Sequence, residues 1–352
     1  MAHALSQLTR AELTALPKIE LHRHLEGSLR LSTLREIAEQ YAIDVPSHTV
    51  EDLRPYVQVT NDEPNFSNFL SKFAVLRRFY CSEDIISRLT YEVIEDAAKD
   101  NVRYMELRFT PAALARTKGF PLHEVVQMVL MATINARRDF PDIQVELIAS
   151  FNRHESVEIG ETVTQIAVDL KDYIVGLDLA GDEVNFPAAP FASLFHDAKK
   201  EGLGLTVHGG EWTGPANVRQ AIELLGADRI GHGVRVLEDP NVAALARERD
   251  TTFEVCVTSN LQSGVIQRLT DHPLRQMLAY PLNVTINTDD PAVSDITLTD
   301  EYEVVVDDLG VSPEALRRSI LTAAQQSFIP FAQKQRLIQL FQTELGLNGQ
   351  SE

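Results

Sequence analysis

Two histidines stand two positions apart near the start of the chain, inside the run Leu21–Gly27. If this run forms a strand, side chains at that spacing share one face, so the imidazoles of His22 and His24 point the same way. Two neutral imidazoles at one strand end suit a divalent transition metal. The alternative is a pair of ordinary surface or core histidines, because a His-x-His pattern is weak evidence by itself.

Three further segments place metal-binding or acid–base residues directly after a short apolar run. His208 is followed by two glycines and by Glu211, a carboxyl group suited to proton transfer. His232 stands between two glycines. Asp289 and Asp290 are adjacent, so in an extended chain they point to different sides, and one can bind a metal while the other faces a substrate. Each segment also has a structural interpretation: a glycine-rich turn, a buried histidine bonded to backbone, or a helix N-cap before a proline.

These residues need a scaffold that brings four strand ends together. Short runs rich in β-branched or apolar residues alternate with helical patterns, and the predicted strands are Lys18–His22, Val102–Phe109, Ile143–Ser150, Ile174–Leu179, Gly204–His208, Arg229–His232, Thr252–Cys256 and Asn283–Asn287. This alternation predicts an α/β fold, and eight such strands favour a (β/α)8 barrel of the TIM type. A doubly wound sheet is the competing topology, although no Gly-x-Gly-x-x-Gly follows the first strand.

We expect one barrel domain over residues 1–346 and a polar tail over 347–352. The residues from about 30 to about 100 form a mostly helical insertion between the first two strands. A long excursion after a barrel strand lies on the face where active sites form, so the insertion is a candidate lid. Its apolar positions at helical spacing are Phe66, Phe69, Leu70 and Phe73. This stripe fits either a plain core face or an apolar lid over a flat ligand.

On a barrel all of these strand ends meet at one rim. Three histidines and one aspartate around an ion, with a position left for water, describe a catalytic zinc site. Chance convergence of four such segments is the less favoured explanation. The residues therefore predict a metal-dependent hydrolase in which the metal activates water, while Glu211 and Asp290 move protons or hold the substrate.

Composition narrows the class of protein. Of the 352 residues, 51 are acidic and 32 basic, a formal net charge of −19, which argues against a duplex nucleic-acid binder and against an anionic membrane surface. A small nucleoside remains a possible ligand.

Residues 1–16 lack the apolar core of a signal peptide, and the two cysteines, Cys81 and Cys256, cannot build a disulfide framework. We expect a cytoplasmic protein with reduced thiols and no membrane partner. The sequence does not decide the oligomeric state.

The ordered set of motifs resembles the adenosine deaminase family of the amidohydrolase-like barrels. The motifs are His22-Arg23-His24, Asp178-Leu179-Ala180-Gly181-Asp182-Glu183, His208-Gly209-Gly210-Glu211, Gly231-His232-Gly233 and Asn287-Thr288-Asp289-Asp290-Pro291. The resemblance extends over nearly the whole chain, from about Leu16 to Phe341. The segments Tyr104–Phe109 and Cys256–Asn260 also look like the bacterial members.

The resemblance implies a role for each residue. One zinc ion per chain would be held by His22, His24, His208 and Asp289. Glu211 would protonate N1 of the purine, which makes C6 electrophilic, and His232 would orient the attacking zinc hydroxide. Asp290 would bind N7, the amide of Gly181 would meet N3, and His24 would also contact the substrate. The products would be inosine and ammonia. Because Glu211 must be protonated when the substrate binds, its pKa should be raised by an enclosed site.

Two departures from the family pattern bear on the substrate. Glu26 stands where adenosine deaminases commonly carry the aspartate that contacts the ribose 5′-hydroxyl, and adenine deaminases also carry glutamate there. His208-Gly209-Gly210-Glu211-Trp212 replaces the usual His-Ala-Gly-Glu. The family resemblance therefore predicts deamination of adenosine and 2′-deoxyadenosine, with adenine or aminodeoxyfutalosine as alternative substrates. A protein of another class, a non-catalytic purine-binding protein, is disfavoured because every ligand and the acid are present.

Overall fold

A computed structural model describes residues 8–46 and 49–347. Within these ranges, eight parallel strands follow one another around a single sheet in chain order. They are β1 Lys18–His24, β2 Val102–Phe109, β3 Gln144–Asn152, β4 Ile174–Ala180, β5 Gly204–Gly209, β6 Arg229–His232, β7 Thr252–Val255 and β8 Asn283–Ile286. The predicted tail beyond residue 347 and the first seven residues of the chain lie outside the described residues.

The two ends of the sheet meet immediately after β8. The backbone N–H of His24 donates to the carbonyl of Asp289 at 2.8 Å, and the N–H of Asp289 donates to the carbonyl of His22 at 2.9 Å. A parallel bridge joins Arg23 to Asp289 at the same place. The sheet is therefore a nearly closed (β/α)8 barrel, as predicted, and its closing seam runs through three of the four proposed metal ligands.

Helices connect and surround the strands. In chain order they are α1 Arg10–Ala15, α2 Leu31–Tyr41, α3 Val50–Val57, α4 Phe66–Leu76, α5 Glu83–Lys99, α6 Pro111–Ala115, α7 Leu122–Asp139, α8 Val157–Asp169, α9 Ala192–Lys200, α10 Pro215–Glu223, α11 Pro240–Glu248, α12 Val257–Gln262, α13 Leu274–Ala279, α14 Pro291–Ser294, α15 Leu298–Glu303, α16 Pro313–Gln325 and α17 Phe331–Glu344. A π-helical turn, Val304–Asp308, follows α15. The amphipathic helices bury their apolar faces against the strands, with Val125, Val126 and Val129 of α7 fully buried.

The segment between β1 and β2 is helical, and its helices have different positions. α5 packs along α7 and so belongs to the outer ring of the barrel. α4 instead places side chains over the carboxyl ends of the strands, as described below. α3 was not predicted, because Pro55 inside a short helix weakens the helical pattern.

The strand bounds differ from the predicted ones by two residues or fewer. β1 continues to His24, so both histidines of the first motif belong to the strand itself. Cys81 and Cys256 are free thiols. Over the described ranges, no helix has both the length and the apolar character needed to cross a bilayer.

Candidate metal and acid–base site

The four predicted metal ligands converge at the carboxyl ends of the strands. One ligand atom from each of His22, His24, His208 and Asp289 lies within 4.8 Å of the others. The Nε2 atoms of His24 and His208 are 3.3 Å apart. Oδ1 of Asp289 lies 3.2 Å from Nε2 of His22 and 3.4 Å from Nε2 of His24. The spacing argument is confirmed: His22 and His24 present their imidazoles to the same point.

The donor set fits a divalent cation. Nε2 of His22 is fully buried and finds no hydrogen-bond partner among the described residues. Burial lowers the pKa of His24 well below its usual value, so that this imidazole is neutral and keeps a lone pair for a metal. For Asp289, burial raises the pKa, but the contact with His22 and the nearby imidazoles outweigh burial and hold the pKa well below its usual range. Three imidazoles and one carboxylate are ligands that zinc accepts.

A second set of side chains orients these ligands. Nδ1 of His22 lies 2.7 Å from Oε2 of Glu254, and Nδ1 of His208 lies 3.0 Å from Oδ1 of Asp178. A neutral imidazole that donates through Nδ1 directs the lone pair of Nε2 toward the metal. Ser259 donates to Oδ2 of Asp289 at 2.7 Å, which leaves Oδ1 facing the histidines.

Glu254 is the centre of a buried charge network inside the barrel. Its carboxylate accepts from Nη2 of Arg108 at 2.7 Å and lies 2.6 Å from Nε of Arg229. Burial raises the pKa of Glu254, but the two guanidinium groups outweigh it and keep the carboxylate ionised. Sequence reasoning missed this residue. The available signal was a glutamate inside the short apolar run of β7, a position that faces the barrel interior.

Glu211 lies beside the cluster and is only 2 % exposed. Burial raises its pKa well above the usual value, and the negative charges of Asp289, Glu183 and Asp290 raise it further. Both effects favour the protonated carboxyl group, and the direction of the shift is the one predicted from the chemistry.

His232 faces the cluster from the end of β6. Its ring centroid lies 4.8 Å from that of His22 and 5.3 Å from that of His208, and its Nε2 is 3.7 Å from Oε1 of Glu211. The neighbouring glycine makes this packing possible: a Cβ on Gly231 would lie 2.8 Å from Cε1 of His22. His232 has a φ of 62°, in the left-handed region, so local strain accompanies its placement.

Asp290 and Glu26 are buried carboxyl groups on the same cavity, each 4 % exposed. Burial and the charges of Asp289 and Glu26 raise the pKa of Asp290 well above its usual value. Burial raises the pKa of Glu26 to about 7, against the opposing hydrogen bond from the backbone of Thr110 at 2.7 Å. Oδ1 of Asp290 and Oε2 of Glu26 are buried, with no hydrogen-bond partner in the described part of the chain.

The cavity above the cluster is lined on one side by acid–base residues and on the other by α4. Phe69, Leu70 and Phe73 line it, as does the predicted substrate residue Gly181. Phe66 is not part of the lining. It packs edge-to-face against Trp212, with ring centroids 4.5 Å apart, and Trp212 lines the cavity. The apolar stripe therefore faces the site with three of its four residues, and the fourth supports the wall.

The sequence of this chain is similar to those of known proteins. Residues 17–344 match the family model described as adenosine deaminase. The adenosine deaminase of Klebsiella pneumoniae (strain 342) is 38 % identical over 330 residues, which is 93 % of this chain and 98 % of that protein. The adenosine deaminase of Escherichia coli O7:K1 is 37 % identical over 328 residues, covering 92 % and 97 % of the two chains.

Several solved structures are similar to this chain over most of its length. An adenine deaminase from Arthrobacter aurescens aligns with a TM-score of 0.85 and 29 % identity, covering 95 % of this chain and 99 % of that one. An amidohydrolase from Burkholderia ambifaria with bound Zn aligns with a TM-score of 0.88 and 25 % identity, covering 98 % and 95 %. A relative from Arabidopsis was solved with IMP (TM-score 0.82, 25 % identity, 95 % and 98 % covered). This chain belongs to the adenosine deaminase family and is a hydrolase of carbon–nitrogen bonds.

Proposed function

We propose that this enzyme hydrolyses adenosine and 2′-deoxyadenosine to inosine or 2′-deoxyinosine and ammonia, with one Zn²⁺ per chain held by His22, His24, His208 and Asp289. The observation that carries the proposal is the position of Glu211, a buried carboxyl group with a raised pKa, beside the four ligands in one cavity. The curated relatives that are named adenosine deaminase support the choice of substrate.

The chain's own residues supply the acid–base chemistry. A divalent ion in this site would lower the pKa of a coordinated water toward neutrality. Glu211 donates its proton to N1 of the purine, which draws electrons from C6 and makes that carbon electrophilic. The oxygen of water then bonds to C6, and of the two protons of that water one passes to the amino nitrogen and the other restores Glu211. The bond between C6 and its amino nitrogen breaks, and the nitrogen leaves as ammonia. His232 orients the attacking oxygen toward C6.

Three further groups contact the purine. N7 of a purine accepts hydrogen bonds and cannot donate them, so its partner must carry a proton. Asp290 meets this need, because burial and the neighbouring negative charges raise its pKa and favour the protonated carboxyl group. Its Oδ1 has no partner among the described residues, so a purine would satisfy it. The backbone N–H of Gly181 at the end of β4 binds N3, and His24, which lines the same cavity, contacts the substrate near the ion.

Glu26 binds the sugar. Its Oε1 is fixed by the N–H of Thr110, and its Oε2, unpartnered in the described part of the chain, is left for a hydroxyl group of the ligand. The apolar residues Phe69, Leu70 and Phe73 of α4 act as a lid that keeps bulk water from the reacting carbon.

Adenine is the second candidate substrate, because Glu26 is longer than the aspartate common in adenosine deaminases and reaches further into the sugar end of the cavity. An adenine deaminase is also among the similar structures. Aminodeoxyfutalosine, a larger 6-aminopurine nucleoside, would use the same residues around the ring.

The test is ammonia release by the purified, zinc-loaded enzyme from adenosine, adenine and aminodeoxyfutalosine in parallel. Fast turnover of adenosine is the expected result, and activity on adenine or aminodeoxyfutalosine alone would overturn the choice of substrate. Glu211→Ala should lose most of its turnover and keep its zinc, while Glu161→Ala on the exposed face of α8 serves as the control. Turnover near that of the wild type in Glu211→Ala would exclude Glu211 as the acid.

A further inference from the structure

A chain of hydrogen bonds leads from His232 away from the cavity to a second buried histidine. Nδ1 of His232 lies 3.2 Å from Nδ2 of Asn260. Oδ1 of Asn260 lies 3.3 Å from Nε2 of His272. Asn260 is fully buried and His272 is 6 % exposed. Neither residue lines the cavity or belongs to the four-ligand cluster.

The direction of these hydrogen bonds is fixed at the far end. The backbone N–H of Leu274 donates to Nδ1 of His272 at 3.1 Å. A backbone N–H can only donate, so Nδ1 of His272 must be the acceptor. Burial lowers the pKa of His272 to about 4, so the ring is neutral and its single proton is on Nε2. Nε2–H of His272 then donates to Oδ1 of Asn260, and this sets the orientation of the amide.

The orientation of the Asn260 amide in turn determines which ring nitrogen of His232 carries the proton. With Oδ1 facing His272, the NH₂ group of Asn260 faces Nδ1 of His232 and donates to it. Nδ1 of His232 is therefore an acceptor, and the ring proton is on Nε2, the atom 3.7 Å from Oε1 of Glu211 and 4.0 Å from Oδ2 of Asp289. We infer that Asn260 and His272 are positioning residues that hold His232 in the Nε2–H tautomer. The inference deepens the role of His232 in the proposed function and rests on it.

The tautomer decides what His232 can do. An Nε2–H group offers a hydrogen bond to oxygen as negative charge develops during attack on C6, whereas the other tautomer would present a lone pair to that oxygen. His232 accordingly stabilises charge as a hydrogen-bond donor and does not remove the proton of the attacking water. The glycines beside His232 allow the ring to fit, but they cannot select between its tautomers, which requires the partner at Nδ1.

The tautomer can be observed directly by ¹⁵N NMR of the histidine-labelled, zinc-loaded protein, with the His232 signals assigned by comparison with His232→Gln. We expect Nδ1 unprotonated and Nε2 protonated in the wild type. In Asn260→Asp, a carboxylate oxygen faces Nδ1 and accepts from it, so Nδ1 should gain a proton while His272 keeps its partner. Asn135→Asp, on the exposed surface of α7, makes the same change of charge and should leave the signals unchanged. A proton on Nδ1 in the wild type overturns the inference.

Steady-state kinetics of variants of His272 provide the second test. In His272→Leu the amide of Asn260 is free to turn over, so both tautomers of His232 become populated. We expect kcat to fall roughly tenfold or more while KM and bound zinc stay the same. His272→Gln can place an amide N–H near the position of the lost Nε2–H and should recover most of that loss. His123→Leu, an exposed histidine on α7, is the control. Equal kcat values for His272→Leu and the wild type would contradict a positioning role.

The two arms separate this inference from the proposed function. Absence of deaminase activity toward all three purines would refute the proposed function, and the NMR measurement would still decide the tautomer. Normal activity combined with an Nδ1–H tautomer would refute the inference alone.

Discussion

The carboxylate of Glu183 holds the backbone of Glu211. Oε1 of Glu183 accepts from the N–H of Glu211 at 2.8 Å and from the N–H of Thr213 at 2.8 Å, while Oε2 accepts from the N–H of Gly210 at 2.9 Å. Glu183 follows β4, Glu211 follows β5, and Glu183 does not line the cavity. One buried side chain thus fixes the loop that carries the proposed acid, because each hydrogen bond to a carboxylate is among the stronger ones.

Glu183→Gln tests this relationship. An amide offers one acceptor oxygen in place of two, so at least one of the three N–H groups loses its partner and the loop shifts. We expect kcat to fall about 10- to 100-fold, as for a displacement of about 1 Å of a catalytic group, with bound zinc unchanged. Steady-state kinetics and elemental analysis measure the two quantities. Glu161→Gln, exposed on α8, is the matched control, and a variant with wild-type kcat would show that the loop holds Glu211 without Glu183.

Local patterns in the sequence predict much of this site. Strand spacing places His22 and His24 on one face, and alternation of strands with helices predicts a barrel whose rim collects His208, His232 and Asp289. These features depend on the alternation of side chains along each strand and on the order of strands and helices along the chain. Both can be read directly from the sequence.

Contacts between distant parts of the chain were not predicted. Glu254 is 232 residues from His22 in sequence, and Asp178 is 30 residues from His208. The pairing of Asn260 with His272 is closer in sequence but depends on how α12 and the following loop pack. Each of these roles is set by tertiary packing, and residue type alone does not reveal which buried polar group it will meet.

Ser259 should contribute to metal affinity although it is not a ligand. Its hydroxyl donates to Oδ2 of Asp289, and it is fully buried. Ser259→Ala leaves that oxygen without its donor and frees the carboxylate to turn, so the affinity for zinc should fall about tenfold or more. Competition with a chelator measures the change. Ser193→Ala, on the exposed face of α9, should behave as the wild type does. Unchanged affinity for zinc in Ser259→Ala would mean that the backbone alone orients Asp289.

Gly27→Ala should displace Asp290. A Cβ at position 27 would lie 1.7 Å from Oδ1 of Asp290, too close for the carboxyl group to stay. We expect kcat/KM to fall about 100-fold, the loss typical when a substrate-binding group moves by about 1 Å. At Gly214 a Cβ would meet nothing within 4 Å, so Gly214→Ala is the control. If Gly27→Ala keeps the wild-type kcat/KM, then Asp290 does not bind the purine ring.

Phe73→Ala tests the lid. Phe73 lies on the cavity and is only partly buried, so its removal affects the fold less than that of Phe69, which is 4 % exposed. Removing this partly buried aromatic side chain should cost about 1–2 kcal/mol of substrate-binding free energy. KM should therefore rise roughly 5- to 30-fold. Phe331→Ala removes a phenylalanine that is 77 % exposed and should leave KM unchanged. If Phe69→Ala and Phe73→Ala both keep the wild-type KM and kcat, the stripe is an ordinary core face.

His272 should make the fold sensitive to mild acid. Burial lowers its pKa from 6.5 to about 4 in the folded protein, whereas the unfolded chain takes up the proton near the ordinary value. Between these two values the unfolded state binds more protons, so the free energy of unfolding decreases as the pH falls. From pH 7 to pH 4.5 this one group should remove about 2–3 kcal/mol of stability. Urea unfolding of the wild type and of His272→Gln at both pH values measures it, because other titrating groups affect both proteins alike. The wild type should lose that much more stability than the variant, and equal losses would show that the pKa of His272 in the folded protein is close to its ordinary value.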